Sequence, residues 1–108
     1  MMQLTAKTQI WLATKPADFR CGIDGFVALC QQQLNQDPRS GHWFVFINRS
    51  HTMIRVLCYD GSGFWLMSKR LSKGRFSQWP KDEKALTSII TPMLTALVIG
   101  KADWQKAG

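Results

Sequence analysis

Positively charged and aromatic side chains alternate between residue 60 and residue 81. The cations are Lys69, Arg70, Lys73, Arg75 and Lys81, and the aromatic residues are Phe64, Trp65, Phe76 and Trp79. Lys and Arg neutralise phosphates, and a flat aromatic side chain can stack on an unpaired base for about 1–3 kcal/mol. The pattern therefore favours nucleic-acid binding. The cations are the stronger candidates for contact, because aromatic residues in strands usually pack in the core.

The excess of positive charge is concentrated in the same part of the chain. The 108 residues include 14 Lys and Arg against 7 Asp and Glu, for a formal net charge of +7. Residues 49–81 contain seven of these cations and a single acid, Asp60, so they carry nearly all of the excess. Such a basic surface is the electrostatic footprint of a polyanion-binding protein, although a merely solvated face has the same composition.

The acidic residues do not form a recognisable catalytic set. They are Asp18, Asp24, Asp37, Asp60, Asp82, Glu83 and Asp103. Metal-dependent phosphoryl transfer needs carboxylates that converge on metal ions, whereas Asp60 falls in a tight turn and Asp18 near a helix start. The sequence also lacks a GxSxG elbow, a P-loop and a GxGxxG motif. We therefore expect no enzyme activity, and a small metal-dependent nuclease using Asp24 and Asp60 is the least favoured alternative.

The cysteine and histidine residues predict neither a metal site nor a cofactor. Cys21, Cys30 and Cys58 form no CxxC pair, and their odd number suits buried thiols in a reducing cytosol. His42 and His51 lack ligand spacing to them. Since there is no signal-peptide pattern and no apolar run of about 20 residues, we expect a cytoplasmic protein without a membrane span.

A strand and then a helix are predicted in the first third of the chain. Residues 8–13 are typical of a strand. The apolar residues that recur next at helical spacing are Ile23, Phe26, Val27, Cys30 and Leu34. They predict one long helix with Asp18 as its N-cap and an end near Asn35. Gly22 and Gly25 are unfavourable in its first turns, which indicates either close approach to another element or a later start.

From residue 43 the hydrophobic period changes from 3.6 to 2, as in strands. Three strand-like runs separated by hairpin-length links predict an antiparallel meander: residues 43–49, 52–60 and 63–71. Residues 76–79 are candidates for a short edge segment and residues 85–90 for one more strand. Thr91 as N-cap and Pro92 then predict a short helix that ends near Gly100. Its inward-facing residues are expected to be Met93, Leu94, Leu97 and Val98.

Together these elements predict an α+β fold with a single domain over residues 1–108 and a tail at residues 101–108. We expect an antiparallel β-meander sheet with the long helix packed on one face. Along the second strand of the meander, the purely apolar side is expected to face the helix: Ile54, Val56 and Cys58. The other side carries Arg55 and Tyr59 and is the candidate binding surface.

Three blocks of sequence resemble the accessory protein encoded by the second open reading frame of the insertion sequence 66 family. They are TKPADFRCGIDGF (14–26), DPRSGHWFVFINR (37–49) and YDGSGFWLMSKRLSKGRFSQWP (59–80). The matching motif positions are Asp18, Arg20, Gly22, Asp24, Gly25, Ser40, Gly41, His42, Asp60, Gly61, Gly63, Lys69, Arg70, Leu71, Gly74, Arg75, Phe76, Trp79 and Pro80. The resemblance implies a role in transposition beside a separate, larger transposase that carries the catalytic acids.

The expected function is that of a non-catalytic accessory protein of insertion-sequence transposition. We expect a basic rim of the sheet to bind DNA, or the transposase–DNA complex, through Arg55, Lys69, Arg70, Lys73 and Arg75. The expected partners are therefore DNA and the transposase of the same element. The alternative is a protein–protein adaptor that docks on the transposase through its turns and Trp79–Pro80, without contacting nucleic acid.

Overall fold

Five strands form one sheet, and a helix packs on each of its faces. The computed structural model describes residues 4–81 and 83–108. The elements are β1 (Ile10–Ala13), α1 (Ile23–Gln32), β2 (Trp43–Ile47), β3 (Met53–Tyr59), β4 (Phe64–Arg70), β5 (Leu86–Ile89), α2 (Thr91–Ile99) and a 3₁₀ turn (Trp104–Lys106). They confirm the predicted α+β class. Within the described ranges, neither helix has the length and apolar character needed to cross a bilayer.

The sheet is mixed, because its first strand runs parallel to its second. The spatial order is β4-β3-β2-β1-β5. β2, β3 and β4 form the predicted antiparallel meander, with Val56 opposite Val45 on one side and Met67 on the other. β1, however, pairs in parallel with β2 and antiparallel with β5. The prediction of a wholly antiparallel sheet is therefore wrong, because α1 returns the chain to the end of the sheet at which β1 began.

Helix α1 is shorter than predicted and has a different N-cap. It spans Ile23–Gln32, and Gly22 is its N-cap residue. The Asp18 carboxylate instead accepts hydrogen bonds from the backbone N–H, Nε and Nη2 of Arg20. The predicted Asp18 cap and the long helix are therefore wrong, because residues 18–22 are not helical, and the later start that Gly22 and Gly25 indicated as an alternative is confirmed.

A helix covers each face of the sheet over its central strands, so the expected open face is wrong. On one face, α1 covers a cluster made of Ala13, Phe26, Cys30, Phe44, Phe46 and Leu57. On the other face, α2 covers a larger cluster that includes Ile10, Leu12, Val45, Ile47, Ile54, Val56, Leu94 and Leu97. The physical reason is that the short C-terminal helix packs where solvent was expected. Consecutive residues of β2 are therefore buried, as in a sheet with both faces covered.

The two faces of β3 are the reverse of the prediction. Ile54 and Val56 pack in the cluster beneath α2, whereas Leu57 packs beneath α1. Because side chains alternate along a strand, Arg55 and Tyr59 also lie on the α1 face. This face accepts an arginine because the guanidinium of Arg55 lies over aromatic rings beside α1.

The segment between β4 and β5 completes the α2 face. Residues 76–79 do not form the predicted edge strand. Phe76 and Trp79 are buried instead, and Trp79 Nε1 donates to the carbonyl oxygen of Ala13. Trp104 is fully buried beside Trp79. These aromatic rings cover the sheet beyond the end of α2.

Helix α2 lies close to its predicted position. Ile90, rather than Thr91, is the N-cap residue, and Pro92 lies in the first turn. The helix ends at Ile99, close to the predicted position, and Gly100 is its C-cap residue with a φ of 90° that favours glycine. Leu94 and Leu97 are buried, but Val98 is 36% exposed, so its predicted inward position is wrong. The short helix turns that side chain toward the outer side of β4.

Candidate nucleic-acid interface

The strand directions bring cations from distant parts of the chain to one end of the sheet. At this end β1, β2 and β4 finish while β3 and β5 begin, so the segments 14–22, 48–52 and 71–85 meet there. The exposed cations in or next to these segments are Lys15, Arg20, Arg49, Arg70, Lys73, Arg75, Lys81 and Lys84. We call this region the cationic end. The segments at the opposite end carry Lys7 and Arg39 together with Asp37 and Asp60.

Lys69 and Arg70 lie on opposite faces of β4. Lys69 is opposite Ile54 and therefore lies on the α2 face, where its Nζ donates to the carbonyl oxygen of Val98. A cation there also suits the negative end of the α2 dipole. Arg70 is opposite Met53 and therefore lies on the α1 face. The two consecutive cations thus flank the edge of the sheet, and both are exposed.

Lys73 and Arg75 lie on either side of a tight turn at the cationic end. Gly74 has a φ of 78°, which favours glycine at this position. Phe76 follows at once, is buried, and donates its backbone N–H to the carbonyl oxygen of His51. The buried ring therefore anchors the turn, while Lys73 and Arg75 are directed to solvent.

Arg55 is engaged in contacts within the protein. Its Nε donates to Ser68 Oγ at 2.8 Å, and its Nη1 donates to the carbonyl oxygens of Phe19 and Cys21 at 2.8 and 3.3 Å. The guanidinium carbon lies 5.0 Å from the ring centre of Phe19 and 5.6 Å from that of Phe26. Of the five predicted DNA-contacting cations, Arg55 is thus the one that fixes the segment before α1 to the sheet.

A groove of about 530 Å³ runs beside Arg55, and no pattern in the sequence predicted it. Its walls include Arg20, Arg49, Asn48 and Ser50. Arg20 is held by Asp18, with 2.7 Å between Nη2 and Oδ2. These hydrogen bonds lower the pKa of Asp18 to about 2. Arg20 lies outside the basic segment of residues 49–81 and Arg49 is its first residue, and the parallel pairing of β1 and β2 brings the two arginines together.

Most of the aromatic residues in the segment 60–81 anchor that segment to the core of the protein. Phe76 and Trp79 are buried, as the preference for packed aromatics predicted. Trp65 is the exception, because its side chain is 49% exposed. It lies near the opposite end of β4, where its Nε1 donates to Asp60 Oδ2 at 2.7 Å. The strongly exposed Trp65 is therefore separated from the cationic end by the length of the strand.

Family-motif residues shape the turns around the sheet. Asp60 Oδ1 accepts hydrogen bonds from the backbone N–H groups of Ser62 and Gly63, which, with the Trp65 contact, hold the pKa of Asp60 well below its usual range. Gly61 has a φ of 97° in the same turn. The predicted tight turn is confirmed. Asp24, also a motif residue, is exposed in the first turn of α1.

The thiols and acids do not come together as a reactive site. Burial raises the pKa of Cys30 to about 12 and that of Cys58 to about 11, which disfavours their thiolates. Among the residues that the structure describes, no group of three or more His, Cys, Asp and Glu side chains is placed to hold a metal ion. The exposed Lys and Arg side chains at the cationic end offer hydrogen-bond donation and charge neutralisation.

Comparisons with known proteins identify the family to which the chain belongs. Residues 8–108 match the family described as IS66 Orf2 like protein. The uncharacterized protein y4hO of Sinorhizobium fredii is 35% identical over 105 residues, which cover 97% of this chain and 90% of the relative. The uncharacterized protein y4jC of the same organism is 37% identical over 98 residues, covering 91% and 82%. No solved structure matches the chain significantly. The chain belongs to the IS66 Orf2-like family.

Proposed function

We propose that this protein is a non-catalytic accessory factor of insertion-sequence transposition that binds DNA, alone or in the transposase–DNA complex, through its cationic end. The contacting residues are Lys69, Arg70, Lys73 and Arg75, joined by Arg20 and Arg49 from the groove. Arg55 contributes by holding the segment that carries Arg20. Membership in the IS66 Orf2-like family supports the accessory role in transposition.

The observation that carries the proposal is the convergence of cations at one end of the sheet. The segments that meet there and the adjoining end of β4 carry eight exposed cations, whereas the acids that the structure describes in these segments are Asp18, which Arg20 already engages, and Glu83. A surface of this sign attracts a polyanion and releases the counterions of its phosphates on binding. DNA is the polyanion that a transposition factor encounters.

The salt dependence of binding tests the proposal. If about four or five phosphates are neutralised, the logarithm of the association constant should fall with the logarithm of salt concentration with a slope of about −4. The measurement is fluorescence anisotropy of labelled element-end DNA at several salt concentrations. A flat salt dependence, or no binding below about 100 μM at low salt, would contradict the proposal.

A matched pair of charge reversals separates a local interface from the effect of net charge. Lys73→Glu with Arg75→Glu changes the cationic end, and Lys7→Glu with Arg39→Glu makes the same change of net charge at the opposite end. We expect the first pair to reduce the salt slope by about 2 and the second pair to leave it nearly unchanged. Equal losses in both variants would show that only net charge matters.

The adaptor alternative predicts a different outcome. In that case the transposase would be recovered in a pull-down after nuclease treatment and at high salt, and neither charge-reversed variant would reduce recovery. The specific observation in its favour is the exposed outer edge of β4, which can pair with another strand.

A further inference from the structure

Strand β4 presents a regular row of backbone groups at the edge of the sheet. It is the terminal strand in the order β4-β3-β2-β1-β5. Leu71 N–H donates to the carbonyl oxygen of Thr52, and Asp60 N–H donates to that of Gly63. These two bonds show which residue pairs of the β3–β4 ladder are hydrogen-bonded and which are not. Because bonded and non-bonded pairs alternate, the backbone groups of every second β4 residue point away from β3. These residues are Phe64, Leu66, Ser68 and Arg70.

The two halves of this strand have complementary character. Its beginning carries Phe64 and Trp65 and follows Asp60, whose lowered pKa keeps it negatively charged. Its end carries Lys69 and Arg70 and leads to Lys73. An antiparallel pairing of β4 with a second β4 places the beginning of one strand beside the end of the other. Like charges then stay apart, and each cationic half meets an aromatic and acidic half.

One register satisfies both the hydrogen bonds and the charges. When the pairing is centred on Met67, the outward backbone groups of Phe64 bond with those of Arg70 of the second copy. Those of Leu66 likewise bond with those of Ser68. In the same register Trp65 lies beside Lys69 of the second copy, as a cation–π pair requires. Asp60 lies near the turn that contains Lys73 of the second copy.

Exposed apolar side chains surround this edge. Trp65, Val98 and Ile99 are 49%, 36% and 61% exposed, although each is a large apolar residue. Val98 and Ile99 line an apolar groove of about 390 Å³ with Met67 and Lys69, between β4 and α2. Since Trp65 of a second copy would lie beside Lys69, it would also cover the groove at Val98 and Ile99. Self-pairing therefore removes apolar surface from water and also pairs the outward backbone N–H and C=O groups of β4.

We propose that two copies of this chain associate through β4, antiparallel and centred on Met67, to form a continuous ten-stranded sheet. The two-fold axis passes between the two Met67 residues, so the contact is closed and does not propagate. The cationic ends of the two copies then lie on opposite sides of the axis.

Two serine-to-proline substitutions test the pairing. Ser68→Pro removes an outward N–H of β4, and Ser88→Pro makes the equivalent change in β5, the other edge strand. Each serine hydroxyl also accepts one side-chain hydrogen bond, from Arg55 and from Gln9 respectively, so the variants are matched. By sedimentation without DNA, wild type and Ser88→Pro should have the mass of two chains, and Ser68→Pro the mass of one.

A wild-type protein that stays monomeric up to about 1 mM would overturn the proposal, as would equal masses for the two proline variants. A monomer that pairs through β4 only when transposase is added would also overturn it, in favour of a partner strand. Because these measurements contain no DNA, their failure leaves the DNA-binding proposal unaffected.

Cysteine cross-linking tests the register, even if Ser68→Pro fails to fold. In the proposed register the two residues at position 67 form a non-hydrogen-bonded pair, with Cα atoms about 4.5 Å apart, which permits a disulfide. Two residues at position 65 would be about 14 Å apart. Met67→Cys should therefore form a covalent dimer on mild oxidation, whereas Trp65→Cys and wild type should not. Equal cross-linking of both variants would exclude this register.

Discussion

Arg55 illustrates how the neighbours of a residue decide its role. Its guanidinium donates to Ser68 and to the carbonyl oxygens of Phe19 and Cys21, and it stacks over two aromatic rings. As a residue type, an arginine in a basic segment predicts phosphate contact. Here the segment before α1 supplies acceptors, and because that segment is 34 to 36 residues distant in sequence, no local pattern indicates the contact.

We expect Arg55→Ala to destabilise the protein by about 2–3 kcal/mol, because hydrogen bonds from a charged donor contribute about 1.5–3 kcal/mol. The measurement is the free energy of unfolding in urea. Arg75→Ala is the control: its side chain is exposed, so we expect a change within about 0.5 kcal/mol. Equal stability of the two variants would contradict the structural role of Arg55.

Among the secondary structure elements, those formed by neighbouring residues were predictable and those that depend on distant pairing were not. The β2–β3–β4 meander follows from alternation and turns such as Asp60–Gly63, and the end of α2 follows from Gly100. The position of β1 between β2 and β5 depends on the crossover through α1, which leaves no local signal. The packing of α2 on the second face of the sheet could not be predicted for the same reason, because it also depends on residues that are distant in sequence.

The start of α1 gives a test at the scale of an element. Gly25 lies against the preceding segment, so that an added Cβ would be 2.4 Å from Cys21 Cβ, whereas nothing lies within 4 Å of such an atom at Gly22. We expect Gly25→Ala to destabilise the protein by about 1–3 kcal/mol despite the better helix propensity of alanine. Gly22→Ser should be neutral or stabilising, because serine is a favoured N-cap. Urea unfolding measures both, and a stable Gly25→Ala would refute the close approach.

For the whole molecule, topology determines how charge is distributed. The sequence indicated the excess charge of residues 49–81 and four cations of the proposed interface: Lys69, Arg70, Lys73 and Arg75. It did not indicate that Arg20 and Arg49 join them, because this depends on β1 and β2 ending at the same edge of the sheet. The sequence also did not indicate that Trp65 lies far from the cationic end, because this distance arises only when residues 64–70 extend as strand β4.

The acid sensitivity of the protein follows from its charge and from two aspartates. Hydrogen bonds lower the folded-state pKa of Asp18 and Asp60 below the ordinary value of 3.8. The unfolded chain therefore binds more protons in acid, and the stability that these carboxylates contribute is present above about pH 4 and is lost as the pH falls toward 2. Protonation of the other acids also raises the net positive charge above +7 and increases repulsion at the cationic end.

We therefore expect the urea midpoint of the wild type to fall steadily between pH 4 and pH 2, because the unfolded chain takes up protons at Asp18 and Asp60 while the hydrogen-bonded carboxylates of the folded protein stay largely ionised. The double variant Asp18→Asn with Asp60→Asn should start from a lower midpoint at pH 7 and fall less over the same range. Added salt should recover part of the loss in both proteins, because it screens the repulsion between cations but does not restore the carboxylates. Parallel pH profiles for the two proteins would show that neither aspartate is linked to folding.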